Sequence, residues 1–493
     1  MKNGSDSPRK IALLILNSYF KERKSLKDII NRCFSHYNLS GLNRRFIFNV
    51  VKGTVRYYIR LDFIISLFSD KDIKDIDFKV LNILRMGIFQ CIYMDKVPAY
   101  SAVDQSVELT KSNATLSSTG FVNAILRRVC SVEDMDLFIR KKAGELIEDE
   151  IDGISINYSY PRWLVKYWFD WYGKERTVLL CKSLNENPHV YLRFNKGKTT
   201  KNKLSQELDT VLPCKNILLE DIRADAIEVS SAKDINKTGA YKKGLVSVQD
   251  LSSQIAVKYY LDPGKGEKVL DICAAPGGKT VFISEMVGVK GEVLSVDISG
   301  KRLKLMKDNL ERLNADNVWV MQADAAEKNF LEKNSYAVKN KNFKNKKISG
   351  DYTGYFDKII IDAPCSAFGT ISKNPDVKYN KTMDDVIRLS GLSYRMMVNC
   401  GRYLKPGGKL VFYTCTISPL ENQQVISKFL KEYRKEYAAK NPNMTDELIS
   451  ILKIPSLSPN KDSAALGEEA CFEIMPYYFG SEAGFVCSFI KSL

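Results

Sequence analysis

At 493 residues the chain is too long for one hydrophobic core, and domain-size scaling predicts roughly two to four units. Its 45% apolar and 27% charged content is that of a globular protein, and no run approaches the roughly 18 apolar residues of a membrane span, which excludes membrane insertion. Basic side chains exceed acidic ones by 74 − 58 = 16, with 21 against 11 in residues 1–130, a surplus that suits a phosphate backbone or, more plainly, solvated charge from a Lys-rich composition.

From Arg9 to Val129 apolar residues recur at helical spacing, as in Ile11, Leu14, Ile15 and Val80, Ile83, Leu84, Ile88. This predicts a helix bundle with breaks at Ser40–Gly41, Lys96–Pro98 and Ser117–Gly120. The apolar stretch Ile11 to Leu16 is short and lacks a small-residue cleavage site, so it reads as helix core and not as a signal. Arg44, Arg45, Lys52, Arg56 and Arg60 fall at helical spacing and form one cationic stripe, open to RNA or simply to solvent. Residues 131–160, acidic and then Ser/Tyr-rich, read as a linker and domain boundary. Pro161 to Cys181 follows as an aromatic-rich helix whose Trp163, Trp168 and Trp171 suit a core better than a base-stacking role. Alternating runs at Val190–Phe194 and Ala226–Val229 add a small α+β module.

From Gly244 the pattern becomes strand, glycine turn, helix, repeated at Lys268–Ile272, Glu292–Asp297, Val318–Asp324, Lys358–Asp362 and Lys409–Thr414. That alternation predicts a doubly wound α/β sheet. Residues 327–350 hold seven Lys against two Glu and read as a surface loop interrupting the sheet, a disordered insertion before an RNA contact.

The segment Asp271-Ile-Cys-Ala-Ala-Pro-Gly-Gly-Lys-Thr280 leaves a strand and opens a helix, and its small residues let the backbone approach a ligand. A phosphate-cradling loop ending in Gly278-Lys279-Thr280 needs glycine at position 273, where Cys273 stands, so the nucleotide triphosphatase reading fails. Asp297 ends the next strand, 19 positions beyond Gly278, the offset at which a carboxylate reaches a ribose diol. Asp324 ends the third and can accept from an adenine edge. Such acids also serve as plain helix caps. Together with the small-residue turn they predict a nucleoside cofactor, S-adenosylmethionine ahead of a nicotinamide dinucleotide because no G-x-G-x-x-G is present.

Eleven cysteines without a CxxC pair, with His36 and His189 as the only histidines, support neither a disulfide framework nor a zinc cluster. No metal is expected, and a reducing cytoplasm fits. Cys33, Cys91, Cys181, Cys400 and Cys487 read as inert core filling. Cys365, in Asp362-Ala-Pro-Cys, and Cys415, in Thr-Cys-Thr, instead leave strands at the cofactor edge, where catalytic groups gather. A thiolate beside a methyl donor has a use. Addition to C6 of cytosine makes the ring enamine-like, so that C5 can attack a methyl sulfonium. Asp362 is placed to supply or share the proton on N3 that helps this addition.

Val248-Gln-Asp, Cys-Ala-Ala-Pro-Gly-Gly-Lys, Asp-Ala-Pro-Cys-Ser and Tyr-Thr-Cys-Thr-Ile-Ser-Pro-Leu-Glu-Asn, in this order and spacing, resemble the RNA 5-methylcytosine methyltransferases. That resemblance implies Cys415 as nucleophile, Cys365 as the group aiding release, and Asp362 and Lys279 beside the base. It also implies that Cys273, Ala274, Ala275, Pro276, Gly277, Gly278, Lys279, Asp297, Arg302, Asp324 and Asp362 line an S-adenosylmethionine pocket. Departures are Ala367 where glycine is usual, Thr416 for a common Ser and Gln423 for a common Glu. Residues 1–138, through Leu42–Gly53, Ile83–Gln90 and Gly120–Arg128, resemble NusB, an RNA-binding antitermination factor.

The fusion is similar to the bacterial RsmB-type (Fmu, Sun) enzymes that modify cytosine 967 of 16S ribosomal RNA. It is weakest across residues 131–240, where Pro161–Trp163, Asn185-Glu-Asn-Pro188 and Leu192–Asn195 still match the pre-catalytic RNA-binding region. The expected architecture is a NusB-like all-α bundle (1–138), a linker with a small α+β module (139–243) and a Rossmann-like class I methyltransferase domain (244–493). Expected partners are RNA, as free 16S ribosomal RNA or an early assembly intermediate, with no membrane and a monomeric state. Alternatives are a transfer RNA or another ribosomal site as substrate, or a non-catalytic RNA-binding factor.

Overall fold

The computed structural model describes residues 7–22, 24–187, 189–209, 214–215, 226–229, 235–333, 336–339, 345–347, 351–440 and 471–491. The chain divides into two compact units, Met1–Glu186 with Ile371–Lys381, and Asn187–Thr370 with Thr382–Leu493.

The first unit is helical: α1 (Pro8–Glu22), α2 (Leu26–His36), α3 (Gly41–Arg56), α4 (Tyr58–Phe68), α5 (Phe78–Tyr93), α6 (Ala99–Asn113), α7 (Ser117–Cys130), α8 (Met135–Leu146), α9 (Glu150–Tyr158) and α10 (Arg162–Ser183). Two of the predicted breaks fall at helix starts, Ser40 capping α3 and Pro98 preceding α6; the third lies inside α7. Helix α5 begins where the Asp77 carboxylate accepts from the Lys79 and Val80 amides at 2.9 and 3.1 Å, and it is buried on every side from Val80 to Gln90. Burial includes Arg85, whose charge is met by two 2.6 Å hydrogen bonds to Asp62.

Residues 131–160 are not a linker but carry α8 and α9, and the aromatic-rich helix expected at Pro161–Cys181 is α10. Helices α8 to α10 belong to the first unit, and Met135 and Ile139 join its core. Trp168 is fully buried as core, whereas Trp171 is exposed. Pro188 of the Asn-Glu-Asn-Pro motif lies outside the described residues.

The cationic stripe is largely consumed within the unit. Arg56 donates to the Ser372 carbonyl at 2.6 Å, Lys52 to that of Lys373, and Arg60 to that of Asn157 at 2.7 Å and to Asp136. Burial pulls the Lys52 ammonium down to about 8. Arg44 and Arg45 remain exposed. Residues 371–381 are thus a strap held by the helices, further fixed by Leu26 N–H to Asp376 (3.1 Å) and Tyr379 O–H to the Ser159 carbonyl (2.8 Å).

The second unit holds two sheets. The smaller comprises β1 (Val190–Phe194), β2 (Cys214–Lys215), β3 (Ala226–Val229) and β4 (Val246–Val248), in the order β2-β3-β1-β4. The larger comprises β5 (Lys268–Ile272), β6 (Glu292–Asp297), β7 (Val318–Gln322), β8 (Tyr336–Lys339), β9 (Asn345–Lys347), β10 (Phe356–Asp362), β11 (Leu404–Thr414), β12 (Cys471–Ile474) and β13 (Gly484–Ile490). Their order is β12-β13-β11-β10-β5-β6-β7-β8-β9. Strands β7, β6, β5, β10 and β11 run parallel, and β13 returns antiparallel against β11. Side chains alternate between two apolar layers, Ile360 and Val411 facing one and Ile359, Ile361 and Phe412 the other, so the sheet is covered on both faces. The order reverses between β5 and β10, which opens a crevice at the carboxyl ends of those strands.

Two expectations change here. Part of the Lys-rich segment is not loop, because Phe330–Lys333 is a short helix and β8 and β9 pair in succession onto β7 and extend the sheet; residues 334–335, 340–344 and 348–350 of the segment lie outside the described residues. Cys487 is not a free core thiol either. The antiparallel register of β12 and β13 sets it opposite Cys471, and the two form a disulfide.

Candidate active site

The strand β5 delivers a turn that only small residues can make. Cys273 adopts φ 60°, Gly277 φ 96°, and a Cβ on Gly277 would lie 2.8 Å from Met306. A helix, Gly278–Val287, starts there. The Cys273 thiol itself turns to Met396, 3.9 Å away, so this residue contributes backbone to the turn. Across from it, the almost fully buried Asp297 accepts from the Ala275 and Ser299 amides at 3.2 and 2.9 Å. Arg302 lies 3.5 Å from the same carboxylate and donates to the Ala275 carbonyl. Asp324, half-buried after β7, accepts from the Ala326 amide at 2.9 Å, the cap geometry of an acid at a strand end.

Lys279, on the first turn of that helix, reaches back to Asp362 at the end of β10 with a 2.9 Å ion pair, and lies 4.2 Å from the centre of the Tyr413 ring. Burial alone pulls the Lys279 ammonium down, yet the Asp362 carboxylate outweighs it and holds the group above its ordinary value. The ammonium is therefore charged at neutral pH.

Residues Cys365 and Cys415 leave β10 and β11 side by side, their sulfurs 3.5 Å apart. The Cys415 thiol is held well above its ordinary range, first by its hydrogen bond with Cys365, then by burial, then by the negative Asp362. At rest it keeps its proton. All four expected catalytic residues thus meet at the sheet edge bearing the small-residue turn.

Sequence reasoning missed two further groups. Asp271, at the end of β5, accepts from Thr280 at 2.5 Å through one oxygen, while the other is buried without a hydrogen-bond partner. Desolvation pushes its carboxyl up to about 7. Glu421, fully buried, accepts from the Ser366 amide and hydroxyl, both at 2.6 Å. The first announces itself only as the residue opening the small-residue turn, and the second as part of the Pro-Leu-Glu-Asn run after Cys415. A cavity of about 870 Å³ lined by Arg193, Lys198, Phe282 and Lys265 opens instead at the amino ends of β5 to β7 and carries none of these residues. Its Lys198 and Lys265 donate to helix-terminal carbonyls, which accounts for their charge.

Doubly wound strand order, a switch-point turn of small residues and a final antiparallel strand define a Rossmann-like methyltransferase, here on one chain with a helical domain. Residues 258–463 match the family described as 16S rRNA methyltransferase RsmB/F, and residues 6–131 match the NusB family. The probable ribosomal RNA small subunit methyltransferase B of Bacillus subtilis is 30% identical over 98% of this chain and 99% of its own length. Ribosomal RNA small subunit methyltransferase B of Vibrio vulnificus is 31% identical over 77% of this chain and 80% of its own. Among solved structures, PH0851 superposes with a TM-score of 0.70 over 99% of this chain and all of that one at 20% identity. The crystal structure of NSun6 from Pyrococcus horikoshii with SFG does so with a TM-score of 0.53 over 68% of this chain and 99% of that one at 19% identity, and both likenesses concern the fold. The chain belongs to the RsmB/F family, the S-adenosylmethionine-dependent methyltransferases of ribosomal RNA, and its NusB-like domain is an RNA-binding module. Among the described residues no helix is long and apolar enough to cross a membrane.

Proposed function

We propose that this chain methylates C5 of a cytosine in 16S ribosomal RNA, position 967 by resemblance, through a covalent adduct between Cys415 Sγ and C6 of the base. The observation that carries this reading is the pair of thiols, 3.5 Å apart, at the strand ends that also hold Lys279 and Asp362.

S-adenosylmethionine supplies the electrophilic methyl group. The residues present fit it: the unpartnered buried oxygen of Asp271 is an acceptor for an amine or hydroxyl, and the Cys273–Gly278 turn with Asp297, Arg302 and Asp324 would hold the nucleoside. The target base is turned out of its stack, since C5 and C6 are otherwise inaccessible. Cys415 adds to C6 as its thiol proton passes to the Asp362 carboxylate, which is held beside Lys279 and hands that proton on to N3. After methylation the C5 proton leaves to a base, its electron pair closes the C5–C6 double bond, and Cys415 departs as thiolate with Cys365 assisting.

The test is methyl transfer to 16S ribosomal RNA with denaturing gels of the products, together with bisulfite sequencing of ribosomal RNA from cells lacking the protein. Cys415→Ala abolishes transfer, and Cys365→Ala accumulates a slow-migrating protein–RNA adduct. Full activity in the first variant, or no shifted species in the second, refutes the assignment.

A further inference from the structure

The two cysteine loops are tied together behind the thiols. Ser366 follows Cys365 and Thr416 follows Cys415; both are fully buried, and their hydroxyls lie 2.7 Å apart. Because the Ser366 hydroxyl donates to Glu421, it must accept from that of Thr416, which in turn accepts from the Phe368 amide at 3.3 Å. The chain of donors runs one way, from the Phe368 amide through Thr416 and Ser366 to the Glu421 carboxylate. Asn422 braces the second loop, donating to the Thr416 carbonyl (3.0 Å) and accepting from Thr414 (2.7 Å). Cys415 is therefore flanked by two anchored residues. A third tie joins the Gly369 amide to the Cys415 carbonyl at 3.1 Å, at a point where a Cβ on Gly369 would fall 2.8 Å from that oxygen.

We infer that Glu421 is a positioning residue for the release step, its buried carboxylate holding the Cys365 loop in register with the Cys415 loop through Ser366 and Thr416. This inference rests on the two-cysteine reading above. Strand β11 and Asn422 place Cys415 without Glu421. On the Cys365 side the loop is held before the thiol by Ala363 N–H to the Tyr413 carbonyl and Ser393 to the Pro364 carbonyl, but after it both donors of Ser366 end on the Glu421 carboxylate. Loosening the clasp leaves attack intact and moves the group that assists elimination. Gln at position 421 presents one acceptor and one donor to two donors, so it breaks one bond or reverses the Ser366 hydroxyl, which then strands the Thr416 proton.

The test follows single turnovers with 16S ribosomal RNA, measuring methylated product and denaturant-stable protein–RNA adduct together. Glu421→Gln and Thr416→Val lower product formation by about 10-fold to 100-fold, the range for misplacing a catalytic group by about 1 Å. Both also raise the adduct fraction several-fold, whereas a general folding defect lowers product and adduct alike. Thr416→Ser keeps the hydroxyl and behaves as wild type. In a Cys365→Ala background Thr416→Val has no further effect on the adduct. A wild-type partition between adduct and product in both Glu421→Gln and Thr416→Val overturns the inference, as does adduct loss in parallel with product. If Glu421→Gln does not fold, the contrast between Thr416→Val and Thr416→Ser decides alone. RNA carrying 5-fluorocytidine separates the two levels: wild type that traps no adduct on it sinks the covalent reading itself, while trapping by wild type leaves only the positioning role at stake.

Discussion

Asp362→Asn isolates the charge pair at the centre of the site. The variant keeps the shape of the side chain but leaves the Lys279 ammonium, 10% exposed, facing a neutral amide. Stranding one member of a buried pair costs about 3–5 kcal/mol, and because Asp362 is 30% exposed the low end, about 3 kcal/mol, applies. At roughly 2 °C per kcal/mol for a unit of this size, the melting point falls by about 6 °C. Removing both charges in Lys279→Met with Asp362→Asn recovers most of that loss, which gives a coupling energy in a double-mutant cycle. The pH dependence has a fixed sign. Lys279 is held above its ordinary value in the fold, so the stability it contributes is complete below about pH 10 and is lost as pH rises through the raised value. In Asp362→Asn the largest remaining influence is burial, which depresses the lysine, so the gap to wild type narrows toward alkaline pH. Urea melts of the four proteins at pH 7 and 10.5 measure both effects. A single-variant loss below about 1 kcal/mol, or simple additivity in the cycle, refutes the buried-pair account.

Asp271→Asn tests the unpartnered acceptor: burial raises that carboxyl to about 7, so wild-type stability is greatest below the ordinary carboxylate value and falls as pH rises through 7. The variant loses this slope between pH 5 and 9, becomes the more stable protein at pH 9, and binds S-adenosylmethionine more weakly by calorimetry; an unchanged slope contradicts the desolvation argument. Reversing the exposed Arg44 and Arg45 to Glu weakens RNA binding and reduces the dependence of log affinity on log salt by about 1–2. Lys52→Gln leaves that dependence unchanged, because its ammonium is spent on the Lys373 carbonyl, and filter binding across a salt series distinguishes the two.

What the sequence disclosed follows from how local each signal is. Strands β5, β6 and β10, and the second half of β11, are short apolar runs that end in or run into small or acidic residues, and the acids and cysteines at their ends sit where the turn chemistry requires them. Helical spacing likewise identified one face of α3, but spacing does not say what that face meets. Lys52 and Arg56 meet carbonyls of a strap more than 300 positions away, a contact no window of sequence contains. Helices α8 and α9 were concealed by acidic and Ser/Tyr-rich content that breaks apolar periodicity, although Asp134 and Asp149 cap them in the ordinary way, whereas α10 was legible as the aromatic-rich helix Pro161–Cys181. Cys471 and Cys487 meet only through the register of two antiparallel strands, and β8 and β9 exist through pairing with β7 and each other despite a Lys/Asn-rich composition.

The resting geometry also accounts for why two strands, and not one, supply the sulfurs. A nucleophile stored as a free thiolate beside a methyl sulfonium would compete with its own substrate for the methyl group. Here the first cause of proton retention on Cys415 is the neighbouring thiol, a contact made by a different loop. On the covalent reading proposed above, entry of the base between the sulfurs removes the first of the causes that keep the nucleophile protonated. It also brings its own C6 to the sulfur that has lost its partner. That reading requires both cysteines to be independently mounted yet closely registered, and the buried Ser366, Thr416 and Glu421 contacts join the two loops in that way.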